Sequence, residues 1–107
     1  MNINSCTVSG RLTADSELRQ SGSGTSFCNF RIAVNDRRTD DVMYLNVVSF
    51  GKQAEALSKI LVKGCLVGVS GKLKIDTYEK DGVKRDSVSI IANDVELGPK
   101  KSGSPEE

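Results

Sequence analysis

The stretch YLNVVSFGK, residues 44–52, contains the pattern that decides the fold. Successive side chains of a strand point to opposite faces, so Leu45 and Val47 would share one face and Tyr44 and Phe50 the other. After this stretch the apolar residues change from a period of two to a helical period. The sequence therefore predicts a strand that ends at Phe50 and is followed at once by a helix.

Period-two alternation also dominates the rest of the chain and predicts further strands on both sides of this one. The segment KQAEALSKILVKG, residues 52–64, predicts the helix. Gly68 and Gly71 indicate sharp curvature in the strand that follows, and Asp81-Gly82 indicates a hairpin turn. The predicted strands are Ile3 to Leu12, Thr25 to Asn35, Val42 to Phe50, Cys65 to Glu79 and Arg85 to Leu97.

Five strands with one short helix between the third and the fourth follow the order of an all-β OB-fold. That fold is a five-stranded, partly open Greek-key barrel. A small barrel fills its interior from one parity of each strand. We expect Met43, Leu45 and Val47 to point inward, together with Leu73 and Ile75 of the fourth strand.

The 107-residue chain is long enough for one domain with its own core. We assign residues 1–97 to that domain and expect residues 98–107, GPKKSGSPEE, to be a short disordered polar tail. The sequence has no run of eighteen apolar residues, and its first ten residues do not resemble a secretory signal. These features favour a cytoplasmic protein without a membrane partner.

Composition argues against catalysis and against a metal site. The chain has no histidine, and its three cysteines are far apart with no CxxC pair. A zinc site needs three or four clustered ligands, whereas an isolated cysteine in an alternating stretch is typical of a small buried hydrophobe. The sequence also has no GxSxG motif and no Gly-rich phosphate loop. We expect no enzyme activity and no cofactor.

The outward parity of two strands carries aromatic and basic side chains. Tyr44 and Phe50 would lie about 20 Å apart on the third strand, and Lys72, Lys74 and Tyr78 would point outward from the fourth. Unpaired bases stack on aromatic rings while basic side chains follow the phosphates. Alternatively, the two aromatic residues of the third strand cover hydrophobic surface or lie in a dimer interface.

Charge and helix position support the nucleic-acid interpretation. The formal net charge is only +1, but residues 52–85 contain eight basic and four acidic residues, a local charge of +4. A polyanion would be attracted to such a segment. Lys52 would lie in the first helical turn, where a cation is unfavourable next to the positive end of the helix dipole. A phosphate contact beside Phe50 would explain its position.

The sequence resembles the bacterial single-stranded DNA-binding protein (SSB) family from about Asn2 to Leu97. The most specific matching segment is YLNVVSFGKQAEAL, which is similar to the family's aromatic-x-x-V-x-F-G-K-x-A-E segment. VSGRLTADSELR, FCNFRIAVN and KGCLVGVSGKL match further family segments. Together these segments are much more specific than any one of them.

The resemblance implies an OB-fold, binding of single-stranded DNA without sequence preference, and a homotetramer built from two dimers. It also implies roles in DNA replication, repair and recombination, at the nucleoid in the cytoplasm. Tyr44, Phe50 and Tyr78 match positions where the family has stacking aromatics, and Lys52 matches the FGK lysine. The basic residues that fall on matching strands are Arg11, Arg31, Lys72 and Lys74.

Three features differ from the family pattern. The chain has no tryptophan, so two stacking positions carry tyrosine. The loop DRRTDD lacks the aromatic residue of many relatives, and Arg37 or Arg38 could stack on a base in its place. The sequence ends at GSPEE rather than in a long tail with an acidic tip. The resemblance is thus to a short form, and it leaves tail-mediated recruitment of replication and repair proteins open.

Two other hypotheses stay open on the sequence. The first is an adaptor similar to the SSB-related primosomal replication protein, a dimer that would act through protein contacts in replication restart. The second is an RNA-binding OB domain, since RNA bases also stack on aromatic rings. Oligomeric state and affinity for oligo-dT distinguish the adaptor from the SSB hypothesis.

Overall fold

The computed structural model of the protein describes residues 1–36 and 38–98. These residues form six strands and one helix, and alternation of buried and exposed residues marks most of the strands. In chain order the elements are β1 Cys6–Leu12, β2 Glu17–Gln20, β3 Ser26–Asn35, β4 Val42–Phe50, α1 Gly51–Ser58, β5 Leu66–Lys80 and β6 Val83–Leu97.

The strands close into a barrel in the order β1-β5-β6-β4-β3, and β2 extends the sheet at the outer side of β3. Closure comes from two residues at the end of β1, because Arg11 lies opposite Ala33 and Leu12 opposite Ile32. The β4–β6 pair is parallel, and the other pairs are antiparallel. The closed sheet and the helix after β4 confirm the OB-fold prediction.

The core lies inside the barrel and beneath α1. Gly10 lets β1 cross β3 closely, since a Cβ atom there would collide with the carbonyl of Ala33. The buried polar Ser49 is satisfied because its Oγ donates to Oε1 of Gln53 at 2.8 Å. The buried apolar residues are Leu12, Cys28, Phe30, Ile32, Val47, Ala54, Leu57, Leu61, Val67, Val69, Ile90 and Ala92.

The short strand β2 is an element that the sequence pattern did not predict. Its four residues ELRQ are all exposed, so they show no apolar alternation. They form a strand because they pair with β3, with Glu17 opposite Asn29 and Gln20 opposite Ser26. The barrel therefore has the five predicted strands, the first of which begins at Cys6 rather than at Ile3, and one additional edge strand.

The helix is shorter than predicted, because it ends at Ser58 rather than near Gly64. Hydrogen bonds from the β1–β2 loop hold the segment after it. The Leu61 carbonyl accepts from the Ser16 amide at 3.1 Å and from its Oγ at 3.0 Å, and Oδ1 of Asp15 accepts from the Lys63 amide at 2.8 Å. Leu61 is buried nonetheless. The spacing of Leu57 and Leu61 therefore correctly indicated a buried side chain, but it did not indicate that the helix continues to Leu61.

The β5–β6 hairpin confirms two local predictions. Its register shifts between Ser70 and Gly71, where a Cβ atom on Gly71 would collide with the carbonyl of Ile91. At the tip, Asp81 and Gly82 have φ values of 54° and 78°. Two positive φ values in a two-residue loop are those of a type I′ turn.

Three residues expected inside the barrel are exposed. Met43, Leu73 and Ile75 have the inward parity, yet they are 50%, 40% and 56% exposed. The reason is that β1 pairs with β5 only as far as Gly71 and β4 pairs with β6 only over residues 46–48, so the ends of β5 and of β4 extend beyond the barrel. Leu45 is half-buried, and Val47 is the fully buried member of the predicted set on β4.

No helix among residues 1–36 and 38–98 is long and apolar enough to cross a membrane. Gly98, the first residue assigned to the tail, donates its amide hydrogen to the carbonyl of Leu66 at 2.7 Å. The rest of the predicted tail, residues 99–107, lies outside the described residues.

Candidate nucleic-acid interface

One continuous surface carries most of the predicted site residues. We call it the outer face: the side chains of β3, β4, β6 and β5 that point away from the barrel core. Residues directly opposite each other on neighbouring strands point to the same side of a sheet. Register therefore shows which outward side chains lie together in rows across the strands.

Tyr44 and Arg31 occupy one end of this face. Tyr44 lies opposite Ala33 and is 54% exposed. The guanidinium carbon of Arg31, two residues before Ala33 on β3, lies 4.8 Å from the centre of the Tyr44 ring. That distance is in the range of a cation–π contact. The predicted stacking residue and a predicted basic residue are thus in direct contact.

Phe50 lies at the opposite end of β4, six residues from Tyr44. It is 47% exposed and lies opposite Phe27 of β3. The two ring centres are 6.3 Å apart, with 43° between their planes. Such tilted pairs are a favourable aromatic arrangement. The sequence did not settle on which side Phe27 points, and the register places it on the outer face.

Lys72 and Lys74 join the face from β5. Lys74 lies opposite Ser89, which itself lies opposite Asn46 of β4, and Lys72 reaches β4 in the same way through Ile91. Two strand spacings correspond to about 10 Å. Nζ of Lys74 is 3.8 Å from Oδ1 of Asp76, but both side chains are more than half exposed. An exposed ion pair of this kind is weak, so the lysine can exchange it for a phosphate.

Tyr78 extends the face onto the projecting hairpin. It has the same parity as Lys72 and Lys74 on β5 and is 46% exposed. Arg85 lies directly opposite it on β6. The type I′ turn sets this pairing, because a two-residue loop fixes the register of the two strands. An aromatic ring and a cation are therefore adjacent here, as they are at Tyr44.

Lys52 lies beside the face rather than on it. Gly51 has a φ of 73°, a conformation that turns the chain sharply from β4 into α1 and that favours glycine. Lys52 follows in the first turn of the helix, is exposed, and has no acidic residue in that turn to offset the helix dipole. Lys52 therefore lies next to the end of the face that carries Phe50.

The remaining predicted arginines lie at or beyond the margins of this face. Arg11 points outward opposite Ala33, in the row of Tyr44, but its guanidinium donates to the carbonyl of Gly64 at 3.0 Å and is partly buried there. Arg38 lies in the β3–β4 loop, where it lines an open cleft of about 530 Å³ with Val34 and Met43, whose parity is that of the core. Arg37 lies outside the described residues.

Of the three cysteines, Cys28 is buried in the core, whereas Cys6 and Cys65 are half-buried. Burial raises the pKa of the Cys28 thiol, although a hydrogen bond with Ser16 acts in the opposite direction. A raised pKa keeps the thiol protonated, and the thiolate is the reactive form. Residues 1–36 and 38–98 also contain no group of three His, Cys, Asp or Glu side chains that could hold a metal ion.

Residues 3–98 match the Single-strand binding protein family. The chain belongs to this family. It is 36% identical over 101 residues to a protein of Treponema pallidum named single-stranded DNA-binding protein, 89% of this chain and 57% of the relative. Similar relatives of that name occur in Fusobacterium nucleatum, at 34% identity over 95% of this chain and 71% of the relative, and in Staphylococcus aureus, at 37% over 98% and 72%.

The chain thus spans slightly more than half the length of the first of these relatives. The match covers all six strands and the helix. Membership of the Single-strand binding protein family agrees with the resemblance found in the sequence and with the closed barrel.

Three side chains on or next to the outer face were not predicted from the sequence: Phe27, Arg85, and Arg19, which lies opposite Phe27 on β2. Arg85 could have been found by counting outward along both strands from the Asp81-Gly82 turn, because that count pairs Arg85 with Tyr78. Phe27 and Arg19 carry no such local signal. Their position depends on the pairing of β2, β3 and β4.

Proposed function

We propose that this protein binds single-stranded DNA without sequence specificity, by stacking bases on Tyr44, Phe50 and Tyr78. The observation that carries the proposal is the placement of these three rings on one face with Arg31, Lys72 and Lys74. Stacking tolerates any base because every base has a π face, and the cations neutralise phosphates. Family membership and the shared name of the relatives support the same function.

The proposed role is to bind and protect unwound DNA in replication, repair and recombination, without catalysis, in the cytoplasm and at the nucleoid. Lys52 would contact a phosphate next to the base on Phe50. Arg11 and Arg38 would contribute at the margins of the path, since neither side chain lies in the central rows. The adaptor hypothesis is not favoured, because the family match points to single-stranded DNA binding.

Titration of fluorescently labelled oligo-dT tests this function. A Tyr44→Ala, Phe50→Ala double variant should bind at least about thirtyfold more weakly, from about 1 kcal/mol or more for each stacked base. Met43→Ala is the matched control, because Met43 is exposed next to Tyr44 but points to the other side of β4. The control should bind as the wild type does.

Two results would contradict the proposal. If the wild type does not bind oligo-dT at low salt, the function itself is wrong. If the double variant binds as tightly as the wild type, the stacking residues are wrong. Wild-type affinity should also fall with added salt, because each phosphate contact contributes about 0.7 to the slope of log K against log salt. A parallel titration with oligo-rU shows whether the protein prefers RNA.

We also propose that the protein assembles as a homotetramer, a dimer of dimers. Two surfaces support self-association. The edge of β1 from Cys6 to Gly10 that faces away from β5 has no strand partner among the described residues. The core-parity side of the hairpin exposes Leu73, Ile75 and Val88. Light scattering with and without oligo-dT measures the mass directly, and a monomer at micromolar concentration would refute the assembly.

A further inference from the structure

The outer face does not end at Phe50. Phe27 lies directly opposite Phe50, and Arg19 of β2 lies directly opposite Phe27. All three side chains therefore point away from the core, in one row across β2, β3 and β4. With two strand spacings of nearly 5 Å each, the row is about 10 Å long.

Phe27 does not contribute to the barrel core. Its neighbours in sequence, Ser26 and Cys28, are buried, whereas Phe27 is half-buried and contacts the ring of Phe50 from outside. Phe50 is itself 47% exposed, so the pair forms an apolar ledge that is open to solvent. A ledge of two tilted rings offers a base more aromatic surface than Phe50 alone.

Arg19 provides a cation at the outer end of this row. Its guanidinium nitrogen is 2.9 Å from Oε1 of Glu17, and the two side chains are 61% and 63% exposed. An ion pair that is exposed to this extent adds little stability. A phosphate can accept the same guanidinium hydrogens in a two-pronged geometry. Glu17 is the acidic group facing Arg19, and a bound phosphate would have to displace it.

We propose that Phe27 and Arg19 form an additional nucleotide subsite that extends the DNA path across β3 to β2. In this subsite a base stacks on Phe27 at the ledge with Phe50, and Arg19 binds the adjoining phosphate. The subsite rests on the proposed single-stranded DNA binding, and it takes any nucleotide because it contacts the base only through stacking. It adds aromatic contact area to a chain that has no tryptophan.

A single-tryptophan reporter tests the base contact. Because the chain has no tryptophan, Phe27→Trp introduces the only indole. An indole that stacks on thymine loses fluorescence, so oligo-dT should quench the emission of this variant as the complex forms. Leu18→Trp is the control, since Leu18 is exposed on β2 next to Arg19 but points to the other side of the sheet, opposite Cys28.

Labelled oligo-dT is titrated in parallel to measure binding independently of the tryptophan. Quenching of the Phe27→Trp variant, with unchanged emission of the Leu18→Trp variant, supports the subsite. Binding of oligo-dT by the Phe27→Trp variant without quenching overturns it. If the wild type itself does not bind oligo-dT, the proposed function is wrong. That result is distinguishable from failure of the subsite alone, in which the Phe27→Trp variant binds without quenching.

Two further variants test the affinity and the phosphate contact. Phe27→Val replaces the ring with a β-branched side chain suited to a strand and should weaken binding about fivefold or more. Arg19→Gln should lower the salt slope by about 0.7, the contribution of one phosphate to a single strand. Glu17→Gln is the complementary variant. It removes the ion-pair partner of Arg19 and should therefore tighten the binding of oligo-dT. An unchanged salt slope for Arg19→Gln would show that Arg19 does not contact a phosphate.

Discussion

The two halves of the β5–β6 hairpin use the same alternation with opposite results. On β5, Val67 and Val69 are fully buried near the barrel, whereas Leu73 and Ile75 farther along the strand are exposed although their parity is the same. Parity decides which way a side chain points, but burial needs a second layer to cover it. The first half has the rest of the barrel as that layer, and the second half extends past it.

The largest expected effect comes from making the same substitution at a buried and at an exposed position of the hairpin. Ile90→Ala removes side-chain volume from the closed core and should lower the free energy of unfolding by about 2–5 kcal/mol. At a protein concentration too low for assembly, Ile75→Ala removes the same atoms from an exposed position and should change this free energy by no more than about 0.5 kcal/mol. Urea unfolding followed by circular dichroism measures both.

Equal losses for the two variants would break the comparison. They would mean that Ile75 is covered in solution, as it would be in the proposed tetramer. Repeating the unfolding at two protein concentrations identifies that case, because the stability of an assembly depends on concentration.

The projecting half of the hairpin should contribute to DNA binding although it contributes little to stability. Tyr78→Ala lies on the projecting half and should weaken oligo-dT binding about 5- to 100-fold, the loss of one stacked base. Unfolding should be nearly unchanged because the ring is 46% exposed. Ile75→Ala serves as the control on the opposite face of the same strand. Equal affinities of Tyr78→Ala and the wild type would exclude the hairpin from the DNA path.

The smallest expected effect concerns the turn that joins the two strands. Gly82→Ala places a side chain at a φ of 78° and should cost about 1 kcal/mol. The cost should fall on the hairpin, so its amide hydrogens should exchange faster while those of the barrel do not. Gly22→Ala, in a turn without positive φ at that residue, is the matched control. Uniformly faster exchange through the barrel would show that the hairpin is part of one cooperative unit.

Much of the fold could be predicted because it depends on patterns of neighbouring residues in the sequence. The change of period after Phe50 predicted the strand-to-helix junction, and the structure has it at Gly51. The Asp81-Gly82 pair predicted the hairpin, and both residues have the positive φ that a type I′ turn requires. The bend near Gly71 is present as a register shift. Each of these signals involves only a few consecutive residues.

The features that the sequence did not predict correctly have a common cause, because they depend on contacts between distant segments. β2 has no apolar alternation, and it is a strand only because β3 pairs with it. The helix ends early because Asp15 and Ser16 hold the backbone of residues 61–63, which the spacing of Leu57 and Leu61 could not reveal. Such hydrogen bonds join residues 45 or more positions apart.

The same division applies to the candidate site. The order of residues on β4 and β5 already determined that Tyr44 and Phe50, and likewise Lys72, Lys74 and Tyr78, share a face of their own strand. That outcome follows from the two-residue period of a strand and needs no other part of the chain.

Only the tertiary structure decided that these separate faces form one surface. Register between β3, β4, β6 and β5 places Arg31 over Tyr44 and brings Lys74 into the same row, and it adds Phe27 and Arg19 at the other end. The physical reason is that side-chain direction is a local property of the backbone. Strand neighbours are instead selected by hydrogen bonds and packing between segments far apart in the chain.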